Sequence, residues 1–443
     1  MCWEEGNNHS VRRSRCDNSK TCVWAVILWP VLLLTFCATG RAEVLTWPSD
    51  LIFLNTSFEN GSPLYWEADA NNVVNVHLVY DQERASPNRA NGHWFFQAQA
   101  KPGAELTFVL HNFDNVWNGQ KGSPIDKRTV CFVSEDGRSW HAIPTEKTAD
   151  NFLRFKVRVD RGSLYLARLP PYRLSDLEAL KRRVHDDRRV EIVTIGKTVE
   201  GRELEIIRVG NPEAAHRVLL RARAHPWEPG GNWVVEGLIK RLLRPDEEAN
   251  QYLSTYCVYI MPMANKDGVA RGRTRFNQLG SDLNRKWDKP ADPAVNPENY
   301  ALESWLASMI AKGQSGDPKR DASRLGPRPD LMIDLHNDES GGLHVDRPAK
   351  GLDEYLKSMS RLETVLRKYT WYTEHCSRAT SSSPGVIGEG LLDRFGVHAC
   401  VLELNANWIA GLNAYTSAER WELFGAQLCE AFLHYFEAEA SSK

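Results

Sequence analysis

Apolar positions fall into three regimes along this chain. Residues 22–37 form a nearly unbroken apolar run, interrupted at Pro30 and Thr35. From about 43 to 170 apolar and polar residues alternate instead, most clearly over Glu105–Leu110 and Phe155–Val159, while Thr129–Ser134 and Ser139–Ile143 flank an Asp136-Gly137 turn. Alternation sends successive side chains to opposite faces, so each segment predicts a half-buried strand and the set predicts an antiparallel β-sandwich over 43–170. Pro170-Pro171 ends that regime, and Leu174–Val184 has the spacing of a short amphipathic helix. Beyond it, Val218–Ala224, Tyr256–Met261, Leu331–Leu335 and Val397–Leu404 are apolar runs of strand length, and Trp233–Leu243, Leu352–Tyr369 and Ala418–Phe436 have helical spacing. Strands that are apolar on both faces belong to a covered sheet. Residues 171–443 therefore predict an α/β domain with a mixed, mostly parallel sheet flanked by helices. Gln314–Pro329, rich in Gly, Pro and charge, predicts an exposed loop.

The first apolar run is a separate object. Arg12, Arg13, Arg15 and Lys20 precede it, and the small residues Ala38, Gly40 and Ala42 follow it. Its 16 residues fall short of the about 20 that span a bilayer core. Residues 1–42 are therefore expected to be a cleaved export signal rather than an anchor, and the mature chain a secreted or periplasmic protein. Bulky Phe36 argues against lipid attachment at Cys37.

Composition changes this picture little. With 443 residues, 42% hydrophobic and 25% charged, the chain is globular and large enough for more than one domain, which excludes disordered and collagenous classes. The net charge is −2, and without residues 1–42 the chain keeps 50 basic and 54 acidic residues, so no electrostatic footprint for nucleic acid exists. The remaining cysteines (Cys131, Cys257, Cys376, Cys400, Cys429) are odd in number and scattered, which implies no disulfide framework; Cys257 and Cys400 read as buried free thiols. Asn55 and Asn60 each lie in an Asn-x-Ser/Thr glycosylation setting.

Candidate chemistry clusters at strand ends. His225-Pro-Trp-Glu228 closes one apolar run. By itself an H-x-x-E pattern arises by chance, and an ordinary solvated histidine explains it equally well. Asp334-Leu335-His336, at the end of another apolar run, adds a distant imidazole. Two histidines and one glutamate are the set that holds a catalytic zinc while leaving a position open. His225, Glu228 and His336 are thus candidate ligands for one Zn²⁺ per chain, placed where α/β sheets carry their sites. His344 and His398 close no such strand. Between the ligands, Arg275-Phe-Asn-Gln-Leu-Gly-Ser-Asp282-Leu-Asn284-Arg285-Lys-Trp287 is dense in amide and guanidinium groups, which suit a carboxylate partner. Glu403 stands inside the apolar Val401–Leu404 segment, where a charge is costly unless it has partners or a task.

Together these motifs resemble the zinc metallocarboxypeptidases. The resemblance implies that His225, Glu228 and His336 hold zinc and that Asn284 and Arg285 clamp a substrate's terminal carboxylate. It further implies that Arg275 polarises the scissile carbonyl, Asp282 fixes the His225 tautomer, and Glu403 is the general base, with peptide or protein C-termini as substrate. Glu339 and Glu389 are competitors for the last role, set in Gly- and Ser-rich sequence. Asn91-Gly-His-Trp-Phe-Phe96 and Leu164–Tyr172 resemble the sandwich and junction of the cytosolic-carboxypeptidase branch, and the likeness covers most of residues 85–435.

Three departures stand out. An export signal conflicts with a cytosolic branch, so that branch's action on tubulin tails is not transferred. No tyrosine occurs over residues 373–402, where pancreatic-type relatives place a substrate-holding one, leaving Tyr372 and Tyr415 as candidates. Trp227 replaces the branch's usual Gly beside the metal-ligating glutamate. Arg378 and Arg394 are basic candidates for a pocket recognising an acidic side chain. Two other functions use the same features: a zinc amidohydrolase acting on N-acyl amino acids or peptidoglycan peptides, and a catalytically silent binding protein whose contact surface is the aromatic residues of the sandwich.

Overall fold

The computed structural model describes residues 49–81, 88–117, 119–314, 328–382 and 385–440. The export signal expected at residues 1–42, and residues 315–327 of the expected loop, lie outside the described residues. Gln314 itself ends the helix Pro297–Gln314, which the chain's weak amphipathic pattern had not announced.

Two five-stranded sheets make up the N-terminal sandwich. Leu51–Asn55, Phe95–Ala100, Ser163–Ala167, Val130–Ser134 and His141–Pro144 form one, entirely antiparallel. The other joins Glu146–Lys147, Leu153–Val159, Ala104–His111, Val73–Leu78 and Leu64–Ala68. It departs from the antiparallel expectation at one pair, because Val73–Leu78 runs parallel to Ala104–His111. Between them the chain crosses to the opposite sheet at Phe95–Ala100, so it returns in the same direction. The alternating burial of Leu153–Val159 and Ala104–His111 is the predicted period of two.

The sheet of the C-terminal part has eight strands in the order Val190–Lys197, Glu203–Val209, Tyr256–Met261, His216–Ala222, Leu331–Asp338, His398–Asn405, Gly342–Val345, Cys376–Arg378. Tyr256–Met261 through His398–Asn405 are mutually parallel. The flanks follow the mostly parallel expectation only in part: Val190–Lys197, Glu203–Val209 and Tyr256–Met261 pair antiparallel, as do Gly342–Val345 and His398–Asn405, while Gly342–Val345 and Cys376–Arg378 are parallel. Connections as short as residues 198–202 and 339–341 can only reverse the chain, whereas a parallel return needs a crossover.

Alternate residues of the central strands feed two cores. Val218, Leu220, Ile333 and Leu335 pack beneath the helices Gly230–Leu242, Leu352–Tyr369 and Ala418–Ala440. Leu219, Met332 and Ala399 meet Leu302 and Leu306 of Pro297–Gln314 and Leu391 of Ile387–Phe395 on the other face. This double coverage is why these strands read as continuous apolar runs. Gly230–Leu242 and Ala418–Ala440 cross in close contact because Gly237 and Gly425 carry no Cβ; one added at either would strike a backbone carbonyl of the other helix. Cys131, Cys257, Cys376, Cys400 and Cys429 are free thiols, and Cys257 and Cys400 are fully buried. Asn60 is buried too, with its Nδ2 donating to the Val269 carbonyl, so its amide is closed to a glycan in the folded chain.

Candidate metal centre and active site

His225 follows the strand His216–Ala222 in a tight turn held by Arg223. That arginine is buried at a positive φ of 62°, with Nε donating to the Pro226 carbonyl (2.7 Å) and Nη1 to Asn232 Oδ1 (3.0 Å). The turn returns Glu228 beside His225. His336 enters from the neighbouring strand Leu331–Asp338, and its backbone register partner on His398–Asn405 is Glu403.

The three candidate ligands converge. Glu228 Oε1 lies 2.8 Å from His225 Nδ1, Glu228 Oε2 lies 2.7 Å from His336 Nδ1, and the two Nδ1 atoms are 3.2 Å apart. All three residues are buried, and their ligand atoms lie within 4.8 Å of one another. Each imidazole turns its other nitrogen to a carboxylate: His225 Nε2 to Asp282 Oδ1 (3.1 Å), and His336 Nε2 to Asp334 Oδ2 (2.9 Å). These carboxylates hold a proton on Nε2 and leave an Nδ1 lone pair on each ring. Two imidazole nitrogens and a carboxylate then face one point, where shared protons or a metal cation can hold them together. The donor set and its polarity fit zinc.

Charges around the cluster are strongly perturbed. Burial raises the Glu228 pKa, but the facing His225 and His336 outweigh it and hold the carboxyl well below its usual range. For His336 burial acts downward, and Asp334 and Glu228 overcome it, so the ring is pushed well above an ordinary histidine. Glu403 is pushed well above the usual carboxylate range by burial, with Glu228 and Asp338 adding to the rise against His336 and Arg275. Its Oε2 is buried without a hydrogen-bond partner.

The guanidinium and amide groups lie on the far side of Asp282. Arg275 Nε donates to Asp282 Oδ2 (2.9 Å), so one carboxylate links Arg275 to His225. Asn284 donates its backbone N–H to Asp282 Oδ1 (2.9 Å), while its own Oδ1 is buried without a partner. Arg285 Nη1 donates to the Asn284 carbonyl (2.8 Å).

Other candidates have different employment. Tyr372 is 2% exposed; its hydroxyl donates to the His375 carbonyl (2.7 Å) and accepts the Leu343 N–H (2.8 Å). Tyr415 packs edge-on against Trp408. Glu389 is buried, accepting from Ser382 Oγ (2.6 Å) and the Arg347 N–H (3.3 Å). Glu339 lies 3.8 Å from the buried Arg168. Arg378 pairs with Glu363, and Arg394 with Glu303. The Trp227 ring lies 5.7 Å from the Arg168 guanidinium, so it packs on the junction with the sandwich. His344 bonds to Ser377, and His398 packs edge-on against Tyr355.

Asp334 is the residue whose part the sequence reading did not assign. It is fully buried and also accepts from Arg221 Nη1 (3.0 Å). Its position two before His336 on a strand was the available signal, because residues i and i+2 share a face.

A buried His–Glu–His cluster at the carboxyl ends of parallel strands, with both imidazoles backed by carboxylates, defines a metallohydrolase of the α/β class. Comparison with known proteins narrows this. The zinc carboxypeptidase family profile matches residues 177–306. An uncharacterized protein of Zymomonas mobilis is 30% identical over 323 residues, covering 72% of this chain and 77% of that one. Cytosolic carboxypeptidase 6 of Caenorhabditis elegans is 36% identical over 115 residues, 25% of each chain, so this chain spans about a quarter of that relative. The metallo-carboxypeptidase of Burkholderia cenocepacia has a similar fold, with a TM-score of 0.74 at 20% identity, covering 87% of this chain and 99% of that one. The chain belongs to the zinc carboxypeptidase family and is a zinc metallocarboxypeptidase.

Proposed function

We propose that this enzyme removes the C-terminal residue from peptides or proteins, with His225, Glu228 and His336 as the zinc ligands. One observation carries the reading: the guanidinium- and amide-rich segment Arg275 to Arg285 is wired through Asp282 to His225, and Glu403 lies beside the same cluster with an unpartnered oxygen. When bound, zinc supplies Lewis acidity and lowers the pKa of water. The residues divide the remaining work. Asn284 and Arg285 hold the free carboxylate of the substrate, Arg285 through its guanidinium fork. Arg275 stabilises charge developing on the scissile carbonyl oxygen. Glu403 accepts a proton from the attacking water and passes it to the departing amine.

The apolar run and small residues of 1–42 support action outside the cytoplasm, on secreted or periplasmic substrates. The test is a mass-spectrometric screen of peptides with varied C-terminal residues, free or amidated, with and without chelator. Release of single residues from free C-termini alone, lost on chelation, is the expected result. Cleavage of acyl amino acids or cell-wall fragments with peptides left intact would replace this reading with the amidohydrolase one.

A further inference from the structure

The sandwich reaches into the segment that grips the substrate. Asp81 accepts the backbone N–H groups of Thr274 (2.8 Å), Arg275 and Phe276 (3.0 Å). Thr274 Oγ1 in turn accepts from Gly92 and His93. Above this seam, the hairpin Asn115–Trp117 and Gln120–Gly122 presents an indole. Arg275 Cζ lies 4.4 Å and Arg285 Cζ 5.3 Å from the Trp117 ring, and Phe276 stacks on it at 6.2 Å.

Two guanidinium groups on one ring repel each other. Burial, reinforced by Arg275, lowers the Arg285 pKa against the pull of Asp282 and Asp346. The negative face of an indole offsets part of that repulsion, which an aliphatic side chain of similar bulk does not. A stacked guanidinium is also ordered before substrate arrives, so less rotamer freedom is lost on binding.

We propose that Trp117 is a positioning residue: its indole holds Arg275 and Arg285 side by side, so the sandwich sets the geometry with which the catalytic domain grips a substrate C-terminus. The inference rests on the carboxypeptidase reading above. Arg275 keeps the Asp282 carboxylate as a second anchor, whereas the Arg285 guanidinium among the described residues donates to the Asn284 carbonyl, so loss of the indole falls mainly on carboxylate binding.

The experiment compares Trp117→Ala, Trp117→Leu and Trp117→Phe in the full-length, zinc-loaded enzyme. It reads KM and kcat on a peptide with a free C-terminus, with zinc content and melting temperature as controls. KM is expected to rise about tenfold for Ala and Leu with kcat changed by less than about threefold, and Phe to return KM to within about threefold of wild type. Leu matching Phe, or Ala matching wild type, would show that the ring merely fills space and would overturn the inference. Should the Ala variant not fold, the Leu and Phe pair decides. An inactive wild type would overturn the carboxypeptidase reading and this inference with it; an active wild type with indifferent variants overturns the inference alone.

Discussion

Replacing Asp334 by Asn tests the metal centre without touching a ligand. Asp334 is fully buried and divides one oxygen between His336 Nε2 at 2.9 Å and Arg221 Nη1 at 3.0 Å. Asn keeps the shape and removes the charge. Loss of the partner that orients a metal-bound imidazole weakens binding about 10–100-fold, or about 1.4–2.7 kcal/mol. The change also breaks a buried ion pair, which costs about 3–5 kcal/mol. Arg221 keeps the Leu283 carbonyl, Asn299 Oδ1 and the Trp287 ring face, so the lower end applies. At about 2–4 °C per kcal/mol for a domain of this size, the melting temperature should fall by about 6–12 °C. Asp282→Asn is the control: it too loses the partner of a ligand imidazole, but its arginine, Arg275, is 23% exposed and retains Trp117, so the stability cost should be about 1 kcal/mol. Zinc affinity is read by chelator competition on protein shown to be folded. Wild-type affinity in folded Asp334→Asn would refute the idea that this carboxylate prepares His336 for metal.

Three further outcomes are expected. Glu403→Gln should lower kcat by about 10²–10⁴-fold while zinc content stays stoichiometric; turnover near wild type would remove Glu403 from proton transfer. Gly425→Ala places a methyl against the Val234 carbonyl and should destabilise by about 1–3 kcal/mol in urea unfolding, and an unchanged midpoint would contradict the close helix crossing. Asp346 is pushed up to about 7 by burial and then by Glu389, against Arg285 and a Gly388 N–H. Its protonated form favours the folded state, so its contribution is complete below the unfolded pKa of about 4 and is lost as pH rises through about 7. Asp346→Asn should therefore gain about 3 kcal/mol on wild type between pH 5 and pH 8, and equal pH dependence of the two proteins would show the carboxyl to be unperturbed.

Legibility varied with how local the controlling physics was. Tyr256–Met261 and Leu352–Tyr369 begin and end where their apolar patterns place them. Val190–Lys197 gives no such signal, because it is an edge strand whose residues are all at least partly exposed. His225, Glu228 and His336 were visible because each closes or follows an apolar strand. Asp334 stands in the same motif, but the sequence does not show which buried arginine or imidazole it meets. Trp117 and Asp81 carried no signal at all: each is an ordinary loop or hairpin residue until the sandwich is laid on residues 274–276.

The amino-acid order alone marked many of the strands and helices with buried faces and the residue types able to hold a metal, because periodicity and donor chemistry are properties of short stretches. Tertiary structure decided strand direction at the flanks of both sheets, the return of three distant side chains to one point, and the placing of an indole from one lobe on two arginines of the other. Those depend on where chain segments far apart in sequence come to rest, and no local pattern encodes that.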